Sequence, residues 1–161
     1  MKGSILLGFA VALGACTSDA DVAGNYTVAL TNRDNGCNLG NFTPGSMSSG
    51  VSVVITQSGS KLTLTVEGLG GVALTALLGV GGNVYSGNVD GDGFSVESIG
   101  TKPNTSGNCT YTFNSEISGT LNGDALVGRI DYRAADNGNS DCTQVHGCLS
   151  YQDYNGTRPP R

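Results

Sequence analysis

Three stretches of this chain alternate apolar and polar residues on either side of a short glycine-containing turn, and that alternation leaves few folds open. In "VSVVITQSGSKLTLTVE" a two-residue turn at Ser58-Gly59 sets Val51, Val53 and Ile55 opposite Val66, Leu64 and Leu62. In "NVYSGNVDGDGFSVES" a loop from Asp90 to Gly93 sets Val89 opposite Phe94, Gly87 opposite Val96 and Tyr85 opposite Ser98. In "CTYTFNSEISGTLNGDALVGRIDYRA" the pair Asn122-Gly123 is a type I′ turn signal. It pairs Leu121 with Asp124, Gly119 with Leu126, Ile117 with Gly128, Ser115 with Ile130 and Phe113 with Tyr132. Each hairpin has one largely apolar face and one of Ser, Thr, Asn and Glu. A slip of one residue would send the apolar set into water.

Read this way the chain carries eight strands, at about 23–31, 50–57, 60–68, 82–89, 93–100, 108–121, 124–135 and 147–154. Consecutive hairpins make an antiparallel meander. Eight strands with one apolar face suit an all-β, eight-stranded up-and-down barrel, which also removes the exposed edges. A two-sheet β-sandwich is the alternative. The segment "GLGGVALTALLGVGG", Gly68 to Gly82, fits the meander least, being apolar, glycine-bounded and free of charge. It suits a helical turn or two over a barrel end, or a buried strand. Its first reading is core or plug; the alternative is a ligand portal or an apolar contact patch.

Ahead of the strands, Lys2 and the apolar run Ile5 to Ala15 read as an export signal. As a helix the run would rise about 16 Å, short of the ~30 Å hydrocarbon core of a bilayer. It ends in "LGAC", Leu13 to Cys16, which resembles the lipobox of bacterial lipoproteins. That resemblance implies cleavage before Cys16 and a diacylglycerol on its thiol. With Thr17 rather than Asp after the cysteine, it also implies the outer membrane. The expected organisation is a signal peptide at 1–15, a lipidated N-terminus and tether at 16–22, one barrel domain at 23–157 and a tail at 158–161. Losing the leader removes Lys2 and leaves seven Lys/Arg against thirteen Asp/Glu, a formal net charge of −6. With no basic stripe, electrostatic binding to nucleic acid or anionic lipid is disfavoured.

Export also implies an oxidising compartment, so the remaining four of the five cysteines read as two disulfides. If the last strand pairs antiparallel with the first, residues near Thr31 lie beside those near Leu149, and Cys37 falls near Cys148. The third hairpin brings Cys109 toward residue 136, within loop reach of Cys142. Of three connectivities, closure therefore favours Cys37–Cys148 and Cys109–Cys142.

A search for chemistry finds no catalytic or metal constellation and implies no cofactor. The single histidine, His146 in "CTQVHGC", is flanked by cysteines expected to be oxidised. Asp124, Asp131 and Glu116 offer carboxylates, but strand parity turns Glu116 and Asp131 away from the apolar face. "DGDG", Asp90 to Gly93, lacks the further acidic positions of a calcium loop and is explained by a turn.

At the start of the first strand stands "GNYTV", Gly24 to Val28, with Tyr26 where the lipocalin and related calycin barrels carry a tryptophan. With the meander and a disulfide toward the C-terminus, the domain resembles those barrels. Two functions follow as expectations, neither enzymatic. In the first, the barrel holds a small apolar ligand lined by Val53, Leu64, Tyr85, Phe94, Ile117 and Ile130, and the scarcity of large aromatics leaves some space for it. In the second, the barrel is packed solid and its outer face and loops bind envelope components or a partner. Apart from the membrane at the lipid anchor, neither partner nor oligomeric state is specified.

Overall fold

The structure, a computed structural model, describes residues 19–160. Its elements are β1 (Gly24–Asn35), β2 (Met47–Ser58), β3 (Lys61–Val66), α1 (Gly68–Leu78), β4 (Val84–Asp90), β5 (Gly93–Ser98), β6 (Asn104–Ser106), β7 (Cys109–Asn122), β8 (Ala125–Asp136) and β9 (Leu149–Thr157). Every pairing is antiparallel. Eight strands close in the ring β1-β2-β3-β4-β5-β7-β8-β9, and β9 returns to β1. The alternation of the sequence thus produces the eight-stranded barrel rather than the sandwich. β6, which the sequence reading does not anticipate, is a three-residue strand laid on the start of β7, beyond the end of β5.

The hairpins follow one rule that corrects two of the three expected registers. Gly59, Gly91, Gly107 and Gly123 have φ of 60°, 58°, 60° and 63°, and each is the first of two turn residues. That is the glycine-first turn of type II′, whose leading position excludes side chains and whose twist matches the flanking strands. The turns are therefore Gly59-Ser60 and Gly123-Asp124, one residue later than Ser58-Gly59 and Asn122-Gly123. Val53 lies opposite Val66 and Ile55 opposite Leu64, while Leu121 lies opposite Leu126 and Ile117 opposite Ile130. Moving a turn by one residue shifts each partner by two, which preserves the face. The second hairpin keeps its expected register, Val89 with Phe94 and Gly87 with Val96, but closes tightly at Gly91-Asp92.

The two ends of the barrel are covered differently. At one end, α1 crosses from β3 to β4 and buries Gly71 and Leu78. It is a three-turn helix, longer than the turn or two expected over a barrel end. At the same end the β1–β2 loop folds inward, with Leu39 buried and Phe42 edge-on to Tyr132 at 6.3 Å. Asn35 holds this loop, its Nδ2 donating to the carbonyls of Leu39 and Phe42 at 3.0 Å each. The disulfides are Cys37–Cys148 and Cys109–Cys142. Both join neighbours that barrel closure creates, in the connectivity that closure favours. Among the described residues no helix is long and apolar enough to cross a membrane.

The turn assignment has a direct check. Gly123→Ala places a side chain at positive φ and is expected to destabilise the domain by about 1–2 kcal/mol. Asn122→Ala, at a position that is not a turn centre, stays within about 0.5 kcal/mol of the parent. Urea denaturation of the two variants reads both; equal losses would restore the Asn122-Gly123 turn.

Candidate functional site

Strand parity sends one side chain in two into the barrel, and the six residues expected to line a ligand site all point there. Val53, Leu64, Tyr85, Phe94, Ile117 and Ile130 are at most 7% exposed and share one contiguous core cluster. What fills the space between them is aromatic. Tyr26, Tyr85, Phe94, Phe113, Tyr132 and Tyr154 are all buried. The chain has few large aromatics, yet six of the nine described are buried. Inward glycines make the space these rings occupy. A Cβ at Gly119 would lie 2.1 Å from the Tyr154 hydroxyl, and one at Gly128 would lie 2.5 Å from it. Three concavities of the described surface lie on the wall of β4 and β5, where Phe94 contributes to the lining, along α1, and beside Gln57.

The buried hydroxyls find partners inside the barrel. Tyr85 donates to Ser115 Oγ at 3.1 Å, Tyr132 to Gln152 Oε1 at 2.8 Å and Tyr154 to the Ser118 carbonyl at 3.1 Å. Gln152 Nε2 donates in turn to Asn32 Oδ1 at 2.7 Å. Among the described residues no buried side-chain nitrogen or oxygen lacks a hydrogen bond. Burial raises the Tyr85 phenol from 10.0 to about 12 against the opposing hydrogen bond of Ser115. Burial also raises Tyr132 and Tyr154, each helped by a neighbouring tyrosine.

The other end of the barrel is sealed by residues that the sequence reading assigns to a tether and a tail. Asp19–Ala23 run as a strap across the hairpin turns instead of hanging free. Ala20 N donates to the Gly91 carbonyl at 2.8 Å, and Gly91 N to Asp19 Oδ1 at 3.2 Å. Gln57 clamps the strap from both sides, accepting from Val22 N at 2.9 Å and donating to the Ala20 carbonyl at 3.1 Å. The Tyr26 hydroxyl donates to the Val22 carbonyl at 2.9 Å, and Val22 is fully buried. Arg158, expected in the tail, has a side chain only 8% exposed. It donates to the carbonyls of Asp21 and Ala23 at 2.7 Å and pairs with Asp124 at 3.0 Å. Val22 standing four residues before a buried tyrosine was the only sequence signal for the strap.

The groups that could carry chemistry are dispersed and engaged. Asp131 lies on the outer wall between Arg129 and Arg133, pairing with both, and sits opposite Glu116 in the β7–β8 register. Glu116 accepts from Ser95 Oγ at 2.9 Å. His146 Nδ1 lies 3.0 Å from Asp136 Oδ2 in the β8–β9 connection, which Cys109–Cys142 ties to the start of β7. The Gly138 amide and then His146 hold the Asp136 carboxyl below its ordinary value. Asp90 to Gly93 is a hairpin turn. Among the described residues, no three His, Cys, Asp or Glu side chains are grouped to hold a metal. Cys16 lies outside the described residues.

No known family model matches the chain, and no match was found among curated proteins or solved structures.

The burial of these phenols predicts the alkaline titration. A phenol whose folded value is raised contributes stability that is complete below 10.0 and is lost as pH rises from there toward the folded value. Tyr85, Tyr132 and Tyr154 are therefore expected to ionise only with cooperative unfolding, above about pH 11. Absorbance at the phenolate band beside circular dichroism measures this. Ionisation of these three near pH 10 in a folded protein would mean a hydrated barrel. Independently, Gly119→Ala is expected to cost about 1–3 kcal/mol in urea denaturation, because its Cβ meets the Tyr154 hydroxyl.

Proposed function

We propose that the chain is a lipid-anchored lipoprotein of the bacterial envelope, held through Cys16 in the outer membrane, whose barrel acts without catalysis and through its outer surface. The anchor is supported by "LGAC" behind an apolar run, with Thr17 following. What supports the rest is the packing of the inward side chains into one buried cluster. The six side chains that would grip a ligand instead pack on one another and on Tyr26, Tyr132 and Tyr154. A molecule held between them would have to displace rings whose hydroxyls are already bonded to Ser115, Gln152 and Ser118. Cleavage before Cys16 leaves only Thr17 and Ser18 ahead of the strap, so the anchored barrel stays close against its membrane.

Mass spectrometry of protein extracted gently from its own membranes tests both halves. The expected mass is that of the chain from Cys16, with its acyl groups and two disulfides and no further small molecule. A Cys16→Ala variant is expected to lose the acyl mass and leave the membrane fraction. An apolar molecule that stays with the native barrel and is released on unfolding would overturn the packed-barrel reading. Acylation that persists in Cys16→Ala would overturn the anchor.

A further inference from the structure

Seven large apolar side chains stand exposed among the described residues, and five of them belong to one place: Leu69 and Val72 on α1, Val80 just after it, Val84 opening β4, and Ile99 just past β5. Val84 N donates to the Gly81 carbonyl, and the Thr101 and Lys102 amides both donate to the Leu78 carbonyl, which ties these segments together. Continued two residues past Ser86–Glu97, the β4–β5 register sets Val84 opposite Ile99. No charged residue occurs from Gly68 to Val89. A helix apolar on all sides is ordinarily buried on all sides. Here Leu78 is buried against the barrel, while Leu69 is 89% and Val72 66% exposed.

We propose that this patch rests on the same bilayer that holds Cys16, so that the barrel lies on its β4–β5 wall instead of standing on its strap end. The proposal rests on the acyl-anchor reading above. What selects the bilayer is where the described chain begins. Asp19 and Ala20 are bonded to Gly91, in the turn that joins β4 to β5. Cys16 lies three residues further back, a reach of about 10 Å. The anchor therefore leaves from the bottom of the wall whose top carries the apolar patch. From Asp90 to Val84, β4 is six residues long, about 20 Å. A surface tethered this close to lipid meets it at high effective concentration, and acyl anchors act with a second membrane contact. Lys102, whose Nζ donates to the Ala76 carbonyl at 2.6 Å, flanks the patch where a lipid headgroup would lie. Asp90, Glu97 and Glu116 occupy the wall between the two contacts, so the attachment is apolar at one end and covalent at the other.

The test uses acylated full-length mature protein in vesicles of phosphatidylcholine and phosphatidylethanolamine. An environment-sensitive fluorophore is placed on Val80→Cys or, on the opposite wall, on Thr27→Cys, both exposed positions. The four other cysteines of the barrel are paired. The Val80 probe is expected to be several-fold better shielded from aqueous iodide than the Thr27 probe, and to be quenched by brominated lipid. A Val80 probe as open to iodide as Thr27 would overturn the proposal. So would one shielded from both quenchers, because a second copy or another protein would then cover the patch. The mass of Cys16 in the same sample separates the premises. An unacylated Cys16 removes the anchor and this orientation together, whereas an acylated Cys16 with an open Val80 removes the orientation alone.

Discussion

The seam between β9 and β1 is the contact on which the rest of the molecule depends. It pairs Thr27 with Thr157 and runs to Asn35 with Ser150, joining segments more than a hundred residues apart. Without it the eight strands would form an open sheet, with two unpaired edges and an apolar face in water. Each end of the seam is locked by its own chemistry. At one end Gly36 N donates to the Leu149 carbonyl so closely that a Cβ there would lie 2.6 Å from the oxygen, and Cys37–Cys148 ties the adjoining loops. At the other end Arg158 follows β9, reaches the strap carbonyls and packs near the Tyr26 ring at 5.8 Å. An extra residue in β2 opposite Val28–Leu30, and one in β1 between Asn32 and Asn35, bend the sheet on either side of β1.

Closure then dictates what the interior can be. An eight-stranded barrel is at the size where side chains either fill the centre or leave room for one ligand. This chain fills it by opposing large rings with residues that have no side chain: Tyr154 lies over Gly119 and Gly128. The tyrosine hydroxyls would be costly in such a centre without partners, and Ser115, Gln152 and the Ser118 carbonyl supply them. With these side chains packed inside, the large apolar side chains left exposed gather mainly at α1 and the top of the β4–β5 wall.

Much of this was legible in the residues, and the reason lies in parity. Period-two alternation named the inward residues of β2, β3, β5, β7 and β8 even where the turn was placed one residue early, because an error of two positions keeps the face. The disulfide connectivity was legible because closure leaves few neighbours for each cysteine. What was not legible depended on contacts between segments distant in sequence. Asp19–Ala23 are short and acidic, as a tether would be. They become part of the fold only because Gly91, Gln57 and Arg158 converge on them. Arg158 likewise looked like the start of a tail, since nothing local marks a residue whose partners are Asp21, Ala23 and Asp124.

The sequence by itself determined the strand faces and the antiparallel meander, since a strand's alternation carries its burial pattern without reference to any partner. The tertiary structure decided that the meander closes into a barrel, how side chains meet across it and where its apolar surface was left over. Volume inside a closed sheet depends on which ring meets which glycine across the barrel, as Tyr154 meets Gly119. No local pattern records such a meeting.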